Sequence, residues 1–219
     1  LFNPRQLLIN GLFSKVASKM VNGQKEKVMG LLGINKILTH DAKLSMWHQG
    51  TGNEKVESVF INQALNTLYN FGHRAVLSLC TNWYFNINNI EINLNANTQV
   101  KDARDNKETC EIWITDPPYA DAINYHELTE FFLAWDKAFL ENAFPEWYTD
   151  SKRILAIRGV GEEFKRSMID IYSNLGENMP DDGTQVVMFT HQDVRVWAEL
   201  AMILWASGLR VSSAWTIST

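Results

Sequence analysis

Cysteine is nearly absent from this chain: Cys80 and Cys110 are the only two. No CxxC pair and no zinc-ligand spacing can be built from them, so a disulfide scaffold and a cysteine metal centre are both excluded. Sparse cysteine fits a reducing compartment, and a cytoplasmic location is expected. Each of the two is expected to be a small core residue. No apolar run reaches the length of a membrane span, and no signal peptide opens the chain. The chain starts at Leu1 rather than Met, and Phe2-Asn3-Pro4 reads as mid-protein sequence, so an excerpt of a longer protein is expected. Basic charge is also short, with 20 Lys and Arg against 25 Asp and Glu, a net of −5. A nucleic-acid surface should be basic, because phosphates supply most of the affinity. The overall balance therefore counts against this piece gripping DNA alone. There is no P-loop, no pair of histidines at metal spacing, no hydrolase order of Ser, His and Asp, and no internal repeat. Gly159-Val160-Gly161 lacks the third glycine of a nucleotide loop.

What remains is an ordinary globular composition, 46% hydrophobic and 21% charged, in 219 residues. That length suffices for one sizeable core, or one domain with an insertion. Eight tryptophans are many for it. Most belong in the core, with one or two candidates for a base-handling surface.

The most informative stretch is Ile112-Trp113-Ile114-Thr115-Asp116-Pro117-Pro118-Tyr119. A short β-prone run stops on an acid, two prolines and an aromatic. Neither proline can donate to a sheet ladder, so the strand must end near Thr115. Asp116 then lies at the carboxyl end of a buried strand, the edge where open α/β sheets bind ligands. A carboxylate and the neighbouring Pro117 carbonyl are two acceptors, enough to hold both hydrogens of an exocyclic NH₂. The Tyr119 ring can stack on a flat heterocycle, worth roughly 1–3 kcal/mol. An amino nitrogen on a base is a poor nucleophile, because its lone pair is delocalised. Two acceptors draw it toward tetrahedral geometry and free that pair. The plainer reading of the same residues is a strand, a Pro-Pro turn and a helix-capping Asp.

Asp-Pro-Pro-Tyr after a strand resembles the catalytic motif of the amino-methyltransferases that modify adenine N6 or cytosine N4 in DNA. The likeness extends from Asp116 through Tyr119, Asn124-Tyr125-His126 and on to Trp135. It also takes in Leu1 to Leu8 and Gly183 to His191. Together these stretches resemble the large adenine-specific DNA methylases that carry an extra N-terminal domain of unknown function. The resemblance runs in order, in patches, over most of the chain. It implies a Rossmann-like α/β fold, S-adenosylmethionine as cofactor, DNA as partner, and further subunits of a defence or modification system. The family's glycine-rich cofactor loop has no match here and is expected upstream. The resemblance implies Asp116, Pro117, Pro118 and Tyr119 as the catalytic turn, with Tyr119, Asn124 and Tyr125 against the base. An acid after the third strand would accept a hydrogen bond from the cofactor's adenine amino group. Asp102 is the match, with Ala103 leaving room for the ring, and Asp116 would approach the cofactor too. Arg5 and Gln6 become candidates for cofactor or DNA-phosphate contact. Asp at the motif's first position leans toward adenine, since cytosine enzymes often carry Ser there. Glutamine-modifying relatives usually carry Asn.

Along the chain, Pro4 to Met20 reads as a helix capped by Asn3, with Leu8, Leu12 and Val16 recurring at fours beside Phe13. Val28 to Leu38 reads as a continuing helix. His40 to Asn53 reads as a loop, and Asn53 as the cap of a second helix striped by Val56, Phe60, Ala64, Leu68 and Phe71. Strands are expected at about 98–101, 111–115, 184–190 and 209–217. Helices are expected from Asn124 to about Leu140, over Phe164 to Leu175, and after Asp193, with Gly208 as the stop. Residues 1–92 would be mainly helical, with a target-recognition region, and 93–219 would be the catalytic part. The function expected is cofactor-dependent methylation of a flipped DNA base. The alternatives are a catalytically inactive scaffold, or a transferase acting on RNA or protein.

Overall fold

The structure is a computed structural model that describes residues 1–47, 56–60, 96–118, 125–147, 157 and 161–217. Among these lie five α-helices and two small two-stranded sheets, a mixed α/β content. The chain divides into two compact units, Leu1–Asn97 with Phe131–Thr149, and Thr98–Glu130 with Asp150–Thr219.

The first unit opens with α1, Pro4–Met20. Asn3 caps it as expected: its Oδ1 accepts from the Gln6 N–H at 2.8 Å, and the Gln6 Oε1 accepts from the Asn3 N–H at 2.9 Å. The reciprocal pair satisfies two of the donors that a helix start leaves free. The face that α1 buries was not expected. Leu8, Leu12 and Val16 are 61%, 54% and 51% exposed, while Gln6, Asn10 and Ala17 are buried. The helix is turned by its polar anchors: the capping box fixes Gln6, and the Asn10 amide reaches the Asp41 carbonyl at 3.4 Å. The second helix, α2, is separate and begins earlier than expected, at Gln24–Leu38. The Glu26 carboxylate folds back onto the N–H groups of Gly23 (2.7 Å) and Asn22 (3.2 Å) and so breaks the chain from α1.

Residues Met46–Trp47 form β1, which pairs antiparallel with β2, Val56–Glu57. The helix reading at 56–60 is corrected by this ladder; the loop reading of 40–53 holds over 40–45, gives way to the strand at 46–47, and beyond that lies outside the described residues. Val56 and Val59 are buried, the chain is extended at 56–57 and turns at 59–60, and the Val59 N–H reaches the Thr39 carbonyl at 2.8 Å rather than a carbonyl four residues back, as a helix would need. The remainder of that expected helix, Ala64 to Gly72, lies outside the described residues, as does Cys80. Helix α3, Tyr125–Ala143, supplies Phe139 to the core of the first unit, with Ala17, Leu31, Ile34 and Leu38 and a rim of Phe2, Phe13, Phe131 and Trp135. The expected stripe of α3 thus faces packing.

The second unit centres on a parallel pair, β3 (Ile112–Thr115) and β4 (Thr184–Val187), with Ile112 opposite Thr184 and Thr115 opposite Val187. A parallel pair needs a crossover between its strands. Helix α4, Glu162–Glu177, lies in that crossover, and α5, Val194–Ala206, follows β4. Met168, Tyr172 and Leu175 of α4 and Leu200, Ile203 and Leu204 of α5 form one core, against which Trp113, Val187 and Phe189 pack. Asp193 caps α5 and Gly208 ends it with a φ of 82°, both as the sequence predicts.

Two expected strands do not form among the described residues. Residues 98–101 and 209–217 have no ladder partner among the described residues. Alternation alone cannot make a strand; the backbone groups need a neighbour. Nor is the pair buried on both faces, as a near-continuous apolar run predicts. Ile112, Ile114, Val186 and Met188 are exposed while their neighbours face the helices. No helix among the described residues is long and apolar enough to cross a membrane.

Candidate active site

Strand β3 ends at Thr115, where the two prolines require it to end, and its partner pattern carries one step further: the Met188 N–H still reaches the Thr115 carbonyl at 2.8 Å. Beyond this point the chain leaves the sheet. Asp116 is exposed, Pro117 is buried and Pro118 is half-buried. Pro117 anchors the turn while the acid before it faces solvent. The Asp116 carboxylate makes no hydrogen bond or ion pair with any described residue, so both oxygens are open to a donor. It is thus an unengaged acceptor at the carboxyl edge of a parallel pair, the edge that ligands favour.

The strand end is locked from below. Tyr172, almost wholly buried on α4, places its hydroxyl 3.3 Å from the Thr115 Oγ1, which in turn reaches the Val186 carbonyl at 3.5 Å. With Thr115 donating to Val186, the phenol must donate to Thr115. The chain of hydroxyls joins α4, β3 and β4 one residue before Asp116. Burial raises the Tyr172 pKa; the Thr115 contact lowers it somewhat and the Asp116 charge raises it again. The phenol therefore stays protonated, as a donor must.

Asp102 sits in a different setting. It caps a short 3-10 turn, Ala103–Asp105, by accepting from the Arg104 N–H at 2.9 Å. The Arg104 guanidinium then grips both carboxylate oxygens, with Nε at 3.0 Å and 3.1 Å. That hydrogen bonding, against a smaller cost of desolvation, holds the Asp102 carboxyl below its usual range and raises the Arg104 pKa in turn. Ala103 is exposed beside it. A ligand amino group arriving here would have to share these oxygens with Arg104. The Asn174 amide fastens this loop to α4, donating to the carbonyls of Ala103 and Asn106 at 3.0 Å each.

One turn of α4 thus anchors both candidate segments, through Tyr172 for the motif strand and Asn174 for the Asp102 loop. Sequence reading missed both anchors. Tyr172 reads as one more member of an apolar stripe. Asn174 and Asn178, four apart, put two amides side by side at the carboxyl end of that helix, and the Asn178 amide also reaches the Asn106 carbonyl at 3.3 Å.

Of the other expected site residues, Tyr119 and Asn124 lie outside the described residues, and Tyr125 begins α3 with its side chain outside them. Among the described residues no group of three or more His, Cys, Asp or Glu could hold a metal. No family model, no curated protein and no solved structure matches this chain.

Proposed function

We propose that this chain is the catalytic part of a DNA amino-methyltransferase with a Rossmann-like core, acting on adenine N6 in a base flipped from the duplex. The observation that carries the reading is the Asp116-Pro117-Pro118 turn, which leaves an exposed, unengaged carboxylate at the carboxyl edge of a parallel strand pair. S-adenosylmethionine, when bound, supplies an electrophilic methyl group. The chain's own contribution is positioning. Asp116 accepts one amino hydrogen and the Pro117 carbonyl the other, Tyr119 stacks on the ring, and Asn124 and Tyr125 line the base. Tyr172 and Thr115 keep the strand end fixed, so that the acceptors are already in place when the base arrives. Flipping costs a few kcal/mol, which stacking on Tyr119 helps to offset. On the cofactor side, Asp102 and Ala103 fit an adenine ring once the hold of Arg104 is shared.

That hold is also the specific observation favouring a second reading, a methyltransferase-like scaffold without activity. A carboxylate satisfied within its own loop needs no ligand. The two separate by experiment. Radiolabelled methyl transfer to duplex DNA by the purified protein should fall by at least about 100-fold in Asp116→Ala, the scale of removing a preorganised polar group, with circular dichroism unchanged. Transfer that persists in the variant sinks the assignment. Offering RNA and protein acceptors alongside tests the substrate class.

A further inference from the structure

Although the whole chain carries a net of −5, residues 1–47 hold seven cations against two acids, a local net of +5. Only one of these acids lies at the surface to offset that charge: Asp41 is fully buried, whereas Glu26 is exposed, its carboxylate turned onto the backbone N–H groups of Gly23 and Asn22 at the start of α2. Helix α1 contains no acid at all. Its cations Arg5, Lys15 and Lys19 are exposed, and so are Lys25 at the start of α2 and Lys43. The Lys43 N–H bonds the Leu1 carbonyl at 2.8 Å, so Lys43 stands at the same end of α1 as Arg5. None of these five forms an ion pair with a described residue.

At about 100° per residue, Arg5, Lys15 and Lys19 fall within roughly a quarter of the helix circumference, opposite the buried Gln6, Asn10 and Ala17. From Arg5 to Lys19 the stripe runs about 21 Å, at about 1.5 Å per residue. That span passes about six phosphates of one strand, at about 3.4 Å each along the helix axis. We infer that the outward face of α1, continued by Lys25 and Lys43, is the phosphate-contact surface for duplex DNA. The inference deepens the transferase reading above, and rests on it for the choice of duplex. It moves the grip to a region of the chain where charge is strongly positive, and away from the remainder, which is acidic.

A lipid surface would suit this face less well. A helix that enters a bilayer interface segregates apolar from basic residues. Here Leu8, Leu12 and Val16 alternate around the arc with Lys15, Lys19 and Arg5, so no apolar stripe can enter without dragging charge along. The aliphatic carbons of such a face can instead lie between sugars while the cations reach phosphates.

The test is the salt dependence of binding to a fluorescein-labelled 30-base-pair DNA, followed by anisotropy from 50 to 200 mM KCl. Removing three phosphate contacts shallows the plot of log affinity against log salt by about 0.9 per contact. The triple variant Lys15→Gln, Lys19→Gln, Lys25→Gln should therefore reduce the slope by about 2 to 3. A control triple of exposed cations elsewhere, Lys107→Gln, Arg166→Gln, Arg210→Gln, should leave it unchanged. An equal loss in the control, no loss in the α1 triple, or no binding by the wild type at 50 mM would each overturn the inference. So would tighter binding of an RNA of equal length. The two readings fail separately. DNA bound through α1 without methyl transfer removes the enzyme and keeps the surface, whereas transfer with an unchanged slope in the α1 triple removes the surface alone.

Discussion

Gly183 closes the turn that launches β4. Its N–H bonds the Pro180 carbonyl at 2.8 Å, and a Cβ built there would lie 2.9 Å from that same carbonyl oxygen while colliding with the Met179 side chain. The methionine can move aside, but the backbone oxygen cannot without losing the turn. Gly183→Ala is therefore expected to cost about 1–3 kcal/mol in urea unfolding. Two residues on, Gln185 shows the opposite sign. Its amide is buried beneath the sheet with neither nitrogen nor oxygen bonded to a described residue. Replacing an orphaned buried amide by an apolar group removes an uncompensated desolvation cost, so Gln185→Leu is expected to be neutral or to stabilise by about 1 kcal/mol. A loss larger than that of Gly183→Ala would mean that the amide has a partner. Of these two residues, only the glycine was legible beforehand. Pro-Asp-Asp-Gly announces a turn by its own chemistry, whereas the fate of a glutamine side chain depends on which strand and helix come to lie above it.

At the scale of elements, the helices of the first unit bury acid. Asp41 is fully enclosed after α2, with no donor among the described residues on either carboxylate oxygen. The Gln6 and Asn10 amides face it at poor geometry and only temper the effect of burial, which pushes its pKa up to about 6. Asp136 on α3 accepts from the Asn35 amide of α2 at 2.8 Å through one oxygen only, and burial likewise pushes it to about 6. Both ordinarily titrate at 3.8. Between those values the folded state holds more protons than the unfolded one, so stability should fall as pH rises from about 4 to about 6 and stay low above it. Groups shifted the other way act in a separate window. Asp193, held at about 2 by Arg195, loses its contribution only as pH falls from 3.8 towards 2. Thermal unfolding should thus peak near pH 4. Asp41→Asn and Asp136→Asn should each flatten the fall above pH 4 and raise the midpoint at pH 7. Profiles that superimpose on the wild type would show that these acids are paired or solvated. The existence of α1, α4 and α5, with the caps Asn3 and Asp193, was legible from sequence because caps and periodicity are local. The rotation of α1, which turns Leu8, Leu12 and Val16 outward, was not; it follows from where Gln6 and Asn10 find polar partners.

Across the whole molecule, the apolar surface left open is large. One face of the β3–β4 pair, the outer side of α5 at Met202 and Trp205, and the run through Val211, Trp215 and Ile217 all face solvent, Trp215 at 82%. Surface of that kind drives association. Sedimentation should show mass rising with protein concentration, and Ile114→Lys with Trp215→Ser should suppress the rise. A strictly monomeric wild type at 100 μM would contradict this.

By itself, the sequence determined where β3 stops and where α1 and α5 are capped. Two prolines must end β3 at Thr115, and an acid must follow. Those outcomes depend on backbone constraints within a few residues. Tertiary structure alone decided which faces are buried, that 98–101 and 209–217 find no ladder among the described residues, and that Asp116 meets no partner there. Each of these depends on partners distant in the chain, and burial and pairing belong to pairs of segments rather than to either one.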